Sequence, residues 1–491
     1  MAGATLSRPP RSGQGAPRGR RHAPAWPVLA LGALAVVTAA GFVAYPTYPN
    51  YDSYASLVWA RDVLHGSAPA FDAYRAPTQH PLAIAFAALL SLAGDGADRL
   101  LVGATLAAFV ALVAGLYRLA TVAFAPLVGA VAAVLLCTRF DFPFLALRAY
   151  VDIPSLALVV WAAALEAARP RRGGPVLALL LAAGLLRPEA WILSGVYLLW
   201  CAPATGWPRR LRQAALVAAA PLAWAAVDLA VTGDPLFSLT HTSGLAEELG
   251  RRQEASAIPG STLTFLRGLD KTPVVAAGVL GIGLAATLFR RRARVPLALL
   301  VVGLATFALV GVSGLSVIFR YLLVPALMLM VFAAVAVAGW TLLPRARRAR
   351  RAWALAAGLI VLYGIAFTVT HVTPRRFAAE LRFRGDSHAA LVALLRDPAV
   401  RAARRCGPVS LPNHKLVPEV RFVLDAGPAD VVARSDRTQR ARIRRGVAIY
   451  ATERTAFLRY GFSPDPVRVA LPLPGFERVA TRRFFGAYAR C

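Results

Sequence analysis

The chain has 491 residues, 57% of them hydrophobic and only 16% charged, where soluble domains carry about 25% charged residues. That composition excludes an ordinary soluble globular protein, and several apolar runs approach or exceed the roughly 18–20 residues a spanning helix needs. The net charge of +30, from 55 basic against 25 acidic residues, does not describe a nucleic-acid binder. The arginines cluster between the apolar runs, where they orient a membrane protein.

Residues 1–25, rich in Arg, Pro and Gly, read as a disordered cytoplasmic tail. The run from about Trp26 to Tyr45 is too long for a signal-peptide core and lacks a small-residue cleavage site, so it reads as an uncleaved first span. Five basic clusters, at Arg8–Arg21, Arg169–Arg172, Arg209–Arg212, Arg290–Arg294 and Arg345–Arg351, are expected on the cytoplasmic side. The spans between successive clusters must then be even in number.

After the first span comes an outer loop, about 46–97, containing YPTYPNYDSYASLVWARDVLHG and then APTQHPL. The apolar piece Pro81–Ala93, about 13 residues, is too short to span and is expected in the outer interface or as a re-entrant segment. Further spans are expected near Arg99–Ala120, Pro126–Cys137 and Ala149–Ala168. The next apolar stretch starts and ends at basic clusters, so it must turn round. Two short helices meeting at Arg187-Pro188-Glu189 satisfy that, because proline disfavours helix at the residue before it and suits the first turn of the next. Spans near Ala214–Val231, Pro273–Phe289, Val295–Val312, Val317–Trp340 and Trp353–Val369 follow, with a long outer loop over about 232–271. The expected architecture is an all-α polytopic membrane domain, 26–373, of about eleven spans. A small soluble α/β domain on the outer side, 374–491, follows it. That domain is signalled by helical periodicity in SHAALVALLRDPAVRAARR and by short alternating segments, GPVSLP, GVAIYAT and VRVALPL.

Cys137 and Cys201, at span ends, read as small apolar fillers. An outer compartment permits a disulfide between Cys406 and Cys491, and the sequence leaves that pair open between bonded and free. No Cys/His spacing matches a structural metal site.

Charges at membrane depth or at span ends are costly and mark candidate sites. Asp52 is either a general base for a hydroxyl or a ligand to a divalent metal or a sugar; alone, it also reads as an exposed loop aspartate. Tyr54 and Trp59 are interface aromatics or a sugar platform, and Asp62 reads as part of a solvated helix face. His80 could donate to a phosphate or sugar. Arg148 and Asp152, four apart, are expected on one helical face, either as a mutual ion pair or with Asp152 opposite Asp52 and Arg148 near an anionic head group. Arg187 and Glu189 sit at the helix break, and broken helices at membrane depth are tolerated where they pack in protein or line a cavity. Arg320, followed by Tyr321, must snorkel, pair or bind an anion, and a guanidinium matches a phosphate in two-pronged fashion. His241 is a weaker outer-loop candidate.

In order and sidedness these residues resemble the GT-C-fold integral membrane glycosyltransferases, specifically the group around protein O-mannosyltransferases and bacterial lipid A aminoarabinose transferases. The family's acidic first-loop motif is matched by YDSY, with Asp52 and Tyr54, although Ser53 stands where the second acid falls. Its Pro-Leu segment is matched by His80-Pro81-Leu82, and its later Asp-Pro pair by VDIP, with Pro154 one position late. Its basic residue at a broken helix is matched by Arg187, its outer turn by Gly233-Asp234-Pro235, and its Arg-Tyr pair by Arg320-Tyr321 with Pro325 following. The similarity covers roughly residues 26–340. It implies a multi-pass protein of the plasma (inner) membrane. Such a protein moves a sugar from a polyprenyl-phosphate donor to an extracytoplasmic acceptor, with Asp52 and Asp152 catalytic. A lipid-linked-substrate flippase and a non-enzymatic envelope scaffold are the alternatives.

Overall fold

A computed structural model describes residues 26–371, 373–461 and 473–491. The basic tail 1–25 and all of VRVALPL except Leu473 lie outside them. The helices run α1 (Trp26–Ala44), α2 (Tyr51–Leu64), α3 (Pro81–Ser91), α4 (Ala97–Ala123), α5 (Pro126–Thr138), α6 (Asp141–Leu147) and α7 (Asp152–Ala168). They continue as α8 (Gly174–Leu186), α9 (Ala190–Cys201), α10 (Trp207–Thr232), α11 (Phe237–Glu248), α12 (Ile258–Asp270), α13 (Thr272–Leu288), α14 (Arg294–Val312), α15 (Leu323–Ala338) and α16 (Arg348–His371).

Eleven spans are not found. Among the described residues six helices are long and apolar enough to cross a bilayer, or up to eight if each of two bent pairs counts as one span. The expected span at Pro126–Cys137 is a 13-residue helix that bends by 64° into α6, and α12 bends by 108° into α13. At 1.5 Å per residue, 13 residues reach about 20 Å, short of the roughly 30 Å hydrocarbon core. The expected outer loop at 232–271 is itself helical, containing α11 and α12. Counting apolar runs overestimates spans because it cannot separate a helix that faces lipid from one that faces other helices. The structure separates them clearly. No residue of α1 is buried, whereas α15 is enclosed along almost its whole length.

Helix α15 is the axis of the bundle. A Cβ added to Gly281 would stand 1.8 Å from the Phe332 carbonyl oxygen, and one on Gly278 would stand 3.0 Å from that of Leu329. Glycines three apart thus let α13 lie directly on the α15 backbone, the small-residue device of membrane helix pairs. Gly303 does the same for α14 against Pro325. The expected break at Arg187-Pro188 is present: Arg187 is extended (φ −146°, ψ 118°) between α8 and α9, as the residue before proline must be.

The C-terminal segment begins with α17 (Pro374–Leu395) and α18 (Pro398–Ala403). It adds α19 (Val417–Leu424), α20 (Arg437–Arg442) and α21 (Arg454–Tyr460) around a five-stranded sheet. Its strands are β1 (Val409–Leu411), β2 (Val431–Ala433), β3 (Gly446–Ala451), β4 (Glu477–Arg482) and β5 (Phe485–Arg490), in the order β2-β1-β3-β5-β4. The β1 pairings are parallel and the β5 pairings antiparallel. Val409, Leu411, Val447, Ile449 and Phe485 form its core, and Cys406 is disulfide-bonded to Cys491. Cys137 and Cys201 are free.

This segment sits on the first loop. Arg61 stacks on Phe422 at 3.8 Å and donates to its carbonyl, and Asp62 pairs with Arg421 at 3.2 Å. Asp62 therefore lies on an interface, not on a solvated helix face. Tyr48 stacks on His388, which hydrogen-bonds Glu419 at 2.8 Å.

Candidate functional site

The local sequence places Asp52 and Asp152 alike. Asn50 caps α2, its side chain accepting from the backbone N–H groups of Asp52 (2.7 Å) and Ser53 (3.3 Å), which fixes Asp52 in the first turn. Asp152 opens α7. A carboxylate at a helix start is favoured by the orphan N–H groups and the helix dipole. Arg187 and Glu189 come from the α8–α9 break, and Arg320 from a 3-10 turn at Phe319–Leu322 just before α15.

These five charges form one chain. Arg320 Nη1 lies 3.3 Å from Asp52 Oδ2 and 3.3 Å from Asp152 Oδ2. Arg187 Nη1 lies 3.1 Å from Asp152 Oδ1, and its Nη2 lies 2.8 Å from Glu189 Oε1. Tyr150 lies under the Arg320 guanidinium and Tyr321 under that of Arg187, each at 5.3 Å. Asp152 is only 2% exposed and both its oxygens are taken; Asp52 is 21% exposed, and its Oδ1 carries no hydrogen bond among the described residues. Glu189 Oε2 is buried without a partner. Asp152 is thus the organiser of the chain, and Asp52 is its accessible end. Three carboxylates against two guanidiniums leave the chain one net negative charge.

The other candidates divide. His80 stands at the N-cap position of α3 without a side-chain capping bond and packs against Trp224 at 5.7 Å. Burial, then the Arg187 cation, push its imidazole down to about 3, so it is neutral near the charged chain. Arg148 and Asp152 neither pair nor share a helix. Helix α6 ends at Leu147, Ala149 takes φ 54°, and α7 starts afresh at Asp152. The expected four-residue spacing presumed a continuous helix, and the turn breaks it. Arg148 instead lies in the field of Arg384, Tyr460 and Glu419 of the C-terminal segment. Tyr54 is 1% exposed and donates to Asp98 at 3.0 Å, and Trp59 packs on Phe71. Both belong to the core, and neither offers a ring face to a ligand. His241 stacks on Phe237, with Nε2 3.1 Å from the Ala76 carbonyl. Together with Asp228, which accepts from Gln79 and Ser238, it ties the loop before His80 to α10 and α11.

Three residues that sequence reasoning passed over matter to the geometry. Tyr150 supports Arg320. Asn50 also donates to the Arg148 carbonyl at 3.0 Å, locking α2 to the α6–α7 turn. Ser53 donates to the Ala149 carbonyl at 2.6 Å and joins the same lock. An Asn just before an apolar-aromatic helical run is an N-cap signal and could have revealed the capping role of Asn50; the roles of Tyr150 and Ser53 depend on contacts distant in sequence. Among the described residues no group of three or more His, Cys, Asp or Glu side chains is placed to hold a metal ion, and the two aspartates meet across a guanidinium. Compared with known proteins, the chain matches no protein-family model and no curated protein.

Proposed function

We propose that the chain is a GT-C-type membrane glycosyltransferase that moves a sugar from a polyprenyl-phosphate donor to an extracytoplasmic acceptor. The observation that carries this reading is the Asp52–Arg320–Asp152–Arg187–Glu189 chain, in which a buried acid orders two arginines so that one acid, Asp52, keeps an open oxygen at the accessible end. Asp52 Oδ1 accepts the hydrogen bond of an acceptor hydroxyl and takes its proton as that oxygen attacks the anomeric carbon. The bond from that carbon to the phosphate oxygen breaks on the opposite face, with inversion, and the lipid phosphate leaves. Arg320 holds Asp52 in place. Arg187 and Arg320 are each paired with carboxylates, whereas Arg148 makes no ion pair among the described residues and would meet the departing phosphate.

The Cys406–Cys491 disulfide supports an oxidising, extracytoplasmic side for the C-terminal segment, and the basic clusters support a cytoplasmic N-terminus in the plasma (inner) membrane. Labelled polyprenyl-phosphate sugars, offered to the purified protein with an envelope fraction as acceptor, test the reading. Wild type is expected to release label from the lipid, and Asp52→Asn to slow release by about a hundredfold or more. Equal turnover by both proteins removes Asp52 from the mechanism. The discontinuous α8–α9 pair favours a flippase as the second reading; lipid that crosses liposomes with no donor consumed selects it.

A further inference from the structure

A second set of cations lies between the first loop and the C-terminal segment, and its core makes no ion pair among the described residues. Arg148, Arg251 and Lys415 make no ion pair among the described residues, whereas their neighbours Arg75 and Arg384 pair with Glu248 and Glu380. Lys415 and His414 belong to a turn of the C-terminal segment, His414–Leu416, fixed by Asn413, whose side chain accepts from the Lys415 N–H at 3.0 Å. The turn faces the first loop: the His414 ring lies 5.3 Å from that of Tyr51 and 6.2 Å from that of Tyr74. Tyr51 is the residue before Asp52. Its hydroxyl donates to the Arg75 carbonyl.

Two features of this turn have no internal explanation. His414 is 7% exposed, yet its buried Nδ1 has no hydrogen-bond partner among the described residues, and an unpaired buried polar atom is costly. Burial, then Arg75, Lys415 and Arg251, push His414 down to about 3. The surrounding protein, then Arg251, Arg384 and Arg75, holds Lys415 below the usual lysine range. Cations brought together without an acid repel one another, and a bound anion turns that repulsion into attraction. The Arg148 carbonyl accepts from the side chain of Asn50, the residue before Tyr51, at 3.0 Å, which brings it to the same loop.

We propose that His414, Lys415, Arg251 and Arg148 form a phosphate-binding site, completed by the C-terminal segment beside Asp52. The inference rests on the transferase reading for its ligand, the phosphate of a lipid-linked sugar, and it makes the C-terminal segment part of the donor site. Full-length protein in detergent, titrated calorimetrically with inorganic phosphate and with a short-chain prenyl phosphate, tests it.

Lys415→Ala and Arg251→Ala, both at solvent-accessible positions, are expected to weaken binding about tenfold each, the scale of a lost hydrogen bond to a charged group. Lys415→Arg should restore most of it, and Asp52→Asn should bind at least as tightly as wild type. Binding that depends on Lys415 supports the site. Tighter binding of the prenyl phosphate assigns it to a lipid head group, and equal binding of the two probes assigns it to free phosphate. Wild-type affinity in Lys415→Ala, with its unfolding midpoint unchanged, overturns the site, as does failure of wild type to bind either probe. If wild type turns over no donor while Lys415→Ala loses binding, the phosphate site stands and the transferase reading falls.

Discussion

Helix α7 carries a buried carboxylate near each end, and the two are held in opposite ways. Glu166, near its C-terminal end, accepts from the Arg171 backbone N–H at 3.0 and 2.9 Å, from the Tyr197 hydroxyl at 2.8 Å and from Trp200 Nε1 at 2.8 Å. All four bonds come from neutral donors no more than 34 residues away, and they close off the carboxylate. Asp152, at the first residue and about 21 Å away along the helix, is held by two guanidiniums, from Arg187 and Arg320. One of these reaches on to an acid with a free oxygen. Both acids are equally out of reach of water. The difference teaches that burial alone does not mark a site. The network of Glu166 ends on itself, whereas that of Asp152 runs on through Arg320 to Asp52.

The largest effect should separate the two ends directly. Asp152→Asn leaves Arg187 and Arg320 facing each other with their shared acid gone. It is expected to cost about 3–5 kcal/mol, the scale of a broken buried ion pair, together with donor turnover. Unfolding in detergent and the label-release assay read both. Glu166→Gln keeps the shape and most acceptor capacity, so it should cost about 2 kcal/mol and leave turnover unchanged. Loss of turnover in Glu166→Gln with stability intact would erase the distinction between the two ends.

Acid titration sharpens the comparison from the Asp152 side. His80 is neutral in the folded protein down to about pH 3, whereas the unfolded chain protonates near pH 6.5. Between those values the unfolded state binds the extra proton, so stability falls as pH falls, by about 1.4 kcal/mol per unit for each such histidine. His414 behaves alike. Wild type should therefore lose stability from pH 6 to pH 4 about twice as steeply as His80→Gln, as unfolding midpoints at each pH would record. An identical slope in both proteins would place the imidazole in water. The smallest effect belongs to the cap: Asn50→Ala should cost about 1 kcal/mol and lower turnover by loosening Asp52, with Asn50→Asp restoring the capping share.

Much of this was legible in one dimension. The helix break at Arg187-Pro188 follows from proline stereochemistry, and the charges that matter most, Asp52, Asp152, Arg187, Glu189 and Arg320, stand out because an apolar chain has few places for them. Their mutual pairing was not legible. A spacing of four puts Arg148 and Asp152 on one face, whether as an ion pair or with Asp152 opposite Asp52, only within a continuous helix, and the turn at Ala149 ends that helix. Tyr54 looked like a binding residue by its place beside Asp52. A residue two positions along a helix points elsewhere, and here it points into the core.

The sequence by itself determined that this chain is apolar and helical, with a polar C-terminal segment that alternates like strands, because composition and periodicity act through local and solvent interactions. Only the tertiary structure decided how many helices are long enough and exposed enough to meet lipid. It also decided which arginine meets which acid, and that the turn at His414 and Lys415 comes to lie against Tyr51, the residue before Asp52. Those outcomes depend on pairs hundreds of residues apart, such as Asp52 with Arg320. Charge complementarity permits many such pairings, and packing around α15 selects one.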